Sequence, residues 1–190
     1  MTLRPAGVKL VSISKLVGLR CSVHVRIESE ADHNVIRRIH ILAFPSSAEA
    51  MLVDDLRIQA RPTIGLVADH EGDQIGHILF SRVSLQGHPE LRLVGLAPMA
   101  VVPEHQRKGV GSALVEAGLA QCREQGYNAV VVLGHPEFYP RFGFLPASRF
   151  GIGNDFGAPD EAFMALELTP GSLVDCSGRV RYHPAFDSLS

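Results

Sequence analysis

The run 128–133, NAVVVL, narrows the fold more than any other stretch. It has no polar face, so as a strand it must be covered on both sides. It follows a long helical pattern, which itself follows the apolar stretch 91–102, LRLVGLAPMAVV. A strand, a helix and a doubly covered strand in that order make a crossover between neighbours in one sheet.

The upstream half supplies the rest of that sheet. Residues 23–28 alternate apolar and polar side chains, which predicts a strand. Residues 31–44 place Val35, Ile36, Ile39 and Leu42 at helical spacing, and Pro45 stops that helix. Ser46 or Ser47 can cap a second helix, to about residue 57. Residues 63–69 and 75–83 are rich in β-formers, and HEGDQ between them supplies the turn of a hairpin. Within 91–102 the triplet Ala97-Pro98-Met99 is awkward, because proline has no N–H to donate; it predicts an edge or a bulge. From Gly109, the residues Val110, Ala113, Leu114, Ala117 and Ala120 share a helix face, and Gly126 ends it. Residues 137–142 allow only a short helix around Pro140, and 163–168, FMALEL, read as a last strand. The order β-α-α-β-β-β-α-β-α-β predicts an α/β sandwich on a mixed sheet.

Composition excludes several classes. A chain of 190 residues, 46% hydrophobic and 20% charged, suits one domain with a sizeable core, expected over 22–190. A net charge of −2 gives no nucleic-acid footprint. Cys21, Cys122 and Cys176 lie far apart, forming neither a zinc-type pair nor a disulfide framework, which fits a reducing compartment. Lys15 interrupts the apolar pieces of residues 1–21, so that segment is expected to be a flexible or loosely docked extension and not a secretory leader. No run approaches the ~20 apolar residues that cross a bilayer. No membrane partner is expected, and the cytoplasm follows by elimination.

The segment 106–118, QRKGVGSALVEAG, raises the question of a ligand. A helix N-terminus leaves backbone N–H groups unpaired and carries partial positive charge. An anion is stabilised there. Gly109 and Gly111 keep side chains out of the way, and Arg107 and Lys108 add charge at the rim. By itself Gly-x-Gly is equally an ordinary loop with solvated cations. A P-loop is a poor fit because Lys108 precedes Gly109. A dinucleotide fingerprint is a poor fit because Leu114 takes the third glycine's place and residues 103–108 intervene after the strand.

MAVVPEHQRKGVGSALV resembles the acyl-CoA motif [QR]-x-x-G-x-[GA] of the GNAT superfamily of N-acetyltransferases, with Gln106, Gly109 and Gly111 in its fixed positions. GHPEFYPRFGFLPAS and the terminal RVRYHPAF resemble the YhbS-like subgroup. The resemblance spans about residues 22–186. It implies a GNAT-like three-layer α/β sandwich whose mixed central sheet is splayed. Pantetheine would lie in the splay against Met99, Ala100 and Val101, and the pyrophosphate would sit on the amides of Arg107, Lys108, Gly109, Val110, Gly111 and Ser112 behind Gln106. Acetyl-CoA is the implied cosubstrate, and a homodimer is a habit of the family.

Amine acetylation needs a neutral amine, a stabilised oxyanion and a proton for the departing thiolate. Tyr139 occupies the family's tyrosine position before Gly143-Phe144 and is the candidate acid. His135, an imidazole on the turn after the buried strand, is one candidate base beside Glu104, His105 and Glu137. No His or Cys pairing has metal-ligand spacing, so no metal is expected. A small-molecule amine is the leading acceptor. The alternatives are a protein lysine or N-terminus, or a non-catalytic acyl-CoA-binding regulator.

Overall fold

A computed structural model describes residues 23–189; the expected extension 1–21 lies outside the described residues. The elements are β1 (His24–Ile27), α1 (His33–Ala43), α2 (Ala48–Gln59), β2 (Ile64–His70), β3 (Asp73–Leu85), β4 (His88–Val101), α3 (Val110–Glu124), β5 (Ala129–Leu133), β6 (Leu145–Pro146), β7 (Ile152–Asn154), β8 (Phe163–Glu167) and β9 (Gly178–Arg181). They share one sheet ordered β1-β2-β3-β4-β5-β8-β6, with β9 on β3 and β7 on β9. β4 and β5 run parallel, as the crossover requires, and so do β7 and β9. The other pairs are antiparallel. The sheet is therefore mixed and open. Between β2 and β3, Glu71 and Gly72 both have positive φ, 53° and 95°, the backbone that a two-residue hairpin turn demands.

Strand alternation divides the core between two faces. On β3, Ile78 and Phe80 join Val110, Leu114 and Leu119 of α3. Leu79 points the other way, to Ile36 of α1 and Leu52 and Leu56 of α2. Helix α3 thus covers one face, and α1 with α2 the other. A third cluster packs the C-terminal segment, through Ile152, Leu173 and Val180, against the far end of the strands.

The buried stripe of α3 differs from the expected one. Val110, Leu114, Val115, Gly118, Leu119 and Cys122 face the sheet, while Ala120 is exposed and Ala113 and Ala117 are half-buried. Alanines offer less apolar area than the branched side chains, so the helix turns its larger residues inward. Gly118 then admits the Phe80 ring; a Cβ there would overlap it. The helix expected over 137–142 is only a 3-10 turn, Tyr139–Phe142. Strands β6, β7 and β9 were not anticipated, being two to four residues long and too short to show alternation.

Candidate active site

Pro98 does interrupt a ladder. Ile78 of β3 opposes Met99, but Phe80 opposes Leu96, so β4 carries one extra residue at Ala97-Pro98. The parallel pairing with β5 covers only Leu93 to Leu96. Past the bulge β4 stays on β3 while β5 has left it. Among the described residues the backbone groups of 97–101 that point away from β3 therefore have no strand partner, as on a sheet edge. Alternation sends Met99 to the α3 face and Ala100 to the α1/α2 face.

The chain leaves β4 through a tightly held loop. The Gln106 side-chain amide donates to the Val101 carbonyl at 2.9 Å, tying the loop to the strand end. Arg107 and Gly109 both take left-handed backbone, φ 58° and 90°. Among the described residues a Cβ on Gly109 would meet no atom within 4 Å, so it would project into the open ground before the helix. The Ala113 N–H is bonded to the Gly109 carbonyl at 3.0 Å, leaving the amides of Val110, Gly111 and Ser112 as the free first turn. Among the described residues Arg107 and Lys108 form no ion pair and are exposed. Free amides, a glycine-cleared approach and two unspent cations fit a diphosphate.

Aromatic rings form the wall across from β4. A Cβ on Gly111 would lie 3.5 Å from Phe138 and 3.7 Å from Met99, so these two side chains flank the helix entry. The Arg141 guanidinium lies over Phe138, 4.2 Å from the ring centroid. Tyr139 packs edge-on to Phe138 and Phe144, and its ring occupies the space that a Gly134 side chain would take. Among the described residues its hydroxyl has no hydrogen-bond partner. Burial pushes the phenol up to about 12, so it holds its proton at neutral pH. His135 is exposed on the turn after β5, and its carbonyl accepts the Phe138 N–H at 3.0 Å.

The opposite face holds a buried polar chain. Glu28, just past β1, accepts two bonds from Arg57 of α2, at 3.0 and 2.6 Å. The same carboxylate meets Nε2 of His77 on β3 at 2.8 Å. Nδ1 of His77 meets Nε2 of His40 on α1 at 2.8 Å. Gly65 of β2 makes room for it, since a Cβ there would overlap the Glu28 carboxylate. Burial alone would raise Glu28, but the bonds from His77 and Arg57 outweigh it and hold the carboxyl at about 2. Burial, aided by the neighbouring His77 and Arg57, pushes His40 down to about 3, and burial likewise pushes His77 down. Both imidazoles are neutral at physiological pH. Among the described residues Nδ1 of His40 is fully buried without a partner, which costs about 1–3 kcal/mol.

Met99, Ala100 and Val101 thus lie past the bulge at the end of β4, and Gln106 and the free amides of 110–112 follow in the loop and first helical turn; Phe138 and Met99 flank the helix entry, Tyr139 packs on Phe138, and His135 is exposed on its turn. Reasoning from sequence missed Phe138, although it stands inside the quoted FYPRFGF. It also missed the Glu28–His77–His40–Arg57 chain, whose members no spacing rule connects.

Comparisons with known proteins agree with this fold. Residues 62–146 match the family model of the acetyltransferase (GNAT) domain. The chain is 40% identical over 164 residues to the uncharacterised N-acetyltransferase YhbS of Escherichia coli K12, covering 86% of this chain and 98% of that protein. The crystal structure of E. coli YhbS in complex with CoA superposes with a TM-score of 0.84 at 36% identity, over 91% of this chain and 96% of that one. A GNAT-family acetyltransferase from Brucella melitensis, solved with acetyl-CoA, gives 0.71 at 33% identity, over 87% and 98%.

Proposed function

Because this chain belongs to the GNAT superfamily and is an acetyl-CoA-dependent N-acetyltransferase, we propose that it acetylates the primary amine of a small molecule, by direct attack in a ternary complex. One observation carries the choice of acceptor. CoA enters from the α3 side, so the amine must approach the bulge from the other face. There the C-terminal segment already roofs the strand: a Cβ on Gly95 would stand 2.7 Å from the Tyr182 ring, and Ala97 packs in the same cluster as Tyr182 and Phe186. A roofed floor suits a compact amine better than an extended peptide.

In this proposal the amides of residues 107–112 hold the pyrophosphate, aided by the helix dipole and by Arg107 and Lys108. Pantetheine lies along Met99, Ala100 and Val101, pairing with the backbone groups that β5 abandons. The amine nitrogen bonds to the acetyl carbon, the carbon–sulfur bond breaks, and Tyr139 gives its phenolic proton to the sulfur. A phenol held near 12 by burial is protonated at the moment it is needed. His135, exposed at the rim, remains a candidate base.

Release of free thiol from acetyl-CoA, followed with small primary amines and with lysine-containing and N-terminal peptides, tests the acceptor class. Turnover with small amines and none with peptides is expected. Faster turnover on peptides moves the enzyme to the protein acetyltransferases, and CoA binding without thiol release makes it a regulator.

A further inference from the structure

Where β4 and β5 part, the face opposite α3 carries a leucine that nothing covers. Leu96 of β4 and Val132 of β5 form the last parallel pair, and both pack with α3. Ala97 and Leu133 come next, so alternation turns both to the other face. Ala97 packs there, in the cluster with α1 and α2. Leu133 sits opposite Phe163, which packs with Val131 and Ala165 on that face. Residues 129–132 are fully buried and Phe163 is 3% exposed, yet Leu133 is 44% exposed. A strand closed on both faces thus ends in apolar surface open to water, beside the bulge.

Aromatic rings border the same stretch of β4. Tyr182 lies over Gly95, two residues before Ala97 and on the same face. Its ring meets Phe186 at a centroid distance of 5.0 Å and Phe156 at 5.3 Å. Phe186 is buried with residues of α1 and α2, whereas Phe156 is 47% exposed. The charges beside these rings are already spent. Asp155 is bonded to Arg179 and Arg181. Nδ1 of His183 accepts from the Ala185 N–H at 3.2 Å. Further along the loop that carries Phe156, Asp160 lines a cavity of about 630 Å³ with Ile152, Gly157 and Phe163.

Resting on the small-amine reading above, we propose that Leu133 and Phe156, with the Tyr182 ring between them and β4, are the specificity wall for the body of the acceptor, and that the preferred acceptor is a primary monoamine with an apolar, uncharged body. The amine must reach the bulge from this face, so its body comes to rest on what borders residues 95–97. Leu133 and Phe156 then exchange water for substrate, and each methylene they cover adds about fourfold to kcat/KM. A second ammonium on the acceptor would lose its water against the rings, where Asp155 is already taken. An ammonium over an exposed ring gains little in return. Asp160 is the carboxylate to which a diamine would turn, so it enters the test as the rival anchor.

Steady-state kinetics on an isosteric pair read the wall. n-Pentylamine and 1,4-diaminobutane have chains of equal length and differ by a terminal methyl against a terminal ammonium. On the wild type kcat/KM should be at least about tenfold higher for n-pentylamine, and about 100-fold higher for n-pentylamine than for methylamine. Phe156→Ala and Leu133→Ser should each narrow the ratio of n-pentylamine to methylamine by about fivefold to tenfold, mostly through KM. Ile58→Ser, at an exposed apolar residue of α2, should leave that ratio as it is in the wild type. The pair needs no variant, so a failure to fold cannot shelter the proposal. Equal kcat/KM on the pair overturns it, as do losses in both wall variants that are as large on methylamine as on n-pentylamine. A preference for 1,4-diaminobutane overturns it too, and loss of that preference in Asp160→Asn names the carboxylate that takes the wall's place. In all these outcomes the acceptor is still a small amine. Thiol release with lysine peptides alone, or with no acceptor at all, overturns the small-amine reading and the proposal with it.

Discussion

The two faces of the sheet are built by opposite means. On the α3 face the site is made by removal: Gly109, Gly111 and Gly134 clear space, and β5 withdraws from β4 past Leu96. The α1/α2 face is filled by addition, with four polar side chains, from the residue after β1 and from α1, α2 and β3, packed into one chain of hydrogen bonds. The first arrangement leaves backbone groups for a ligand to satisfy. The second satisfies its own groups, save one nitrogen. A cleared face should therefore lose ligand or turnover when altered, and a filled face should lose stability first.

Tyr139→Phe is the largest expected effect on the cleared face. Removing the acid should lower kcat by about 10²–10⁴ while CoA affinity changes by less than about twofold. Steady-state kinetics beside calorimetry reads both, and unaltered turnover removes Tyr139 from the chemistry. On the filled face, Glu28→Ala leaves Arg57 and His77 buried without their carboxylate. A loss of about 3–5 kcal/mol is expected, or a Tm lower by roughly 10 °C in a chain of this size. A variant as stable as the wild type would make the chain of bonds energetically idle.

Acid should separate the faces next. His40, ordinarily near 6.5, is held down to about 3, so the unfolded chain binds its proton first. The stability tied to its neutrality is complete above about 6.5 and drains as pH falls from there toward 3. Glu28 adds a loss lower down, from its ordinary 4.5 toward 2. Replacing His40 by Phe should flatten the fall of Tm between pH 6.5 and 5. An unchanged slope would assign the acid sensitivity elsewhere. The smallest effect belongs to Gln106→Ala, which removes one bond to the Val101 carbonyl. About 1 kcal/mol is expected, appearing as CoA binding weakened by about fivefold with Tm hardly moved.

The same contrast explains what the sequence could tell. Removal leaves marks that are local along the chain: Gly-x-Gly after a proline-broken strand, and GH then FYPRFGF after a buried strand. Runs of β-forming or apolar residues, helical spacing, and cap and stop residues likewise located every described strand of five residues or more and the three described α-helices, to within a few residues. They erred on the inward face of α3, because the Phe80 ring selects Gly118 and lies thirty-eight positions away. Addition leaves no such mark. Glu28, His40, Arg57 and His77 sit in segments that read as an ordinary strand end, two helices and a hairpin, and only the sheet register and the packing of α1 and α2 on it bring them together. Strands β7 and β9 were hidden by length, since three or four residues show no alternation.

The central claim is that the loop from Gln106 to Ser112 clasps the diphosphate of CoA through its main chain. Calorimetry of CoA and of pantetheine on the wild type and on Gly109→Val tests it. Valine at φ 90° strains the backbone and puts methyl groups where the phosphates approach. Wild-type protein should bind CoA far more tightly than pantetheine, and the variant should lose about tenfold or more on CoA while binding pantetheine as before. Equal binding of the two ligands by the wild type, or an undiminished preference for CoA in the variant, would contradict it.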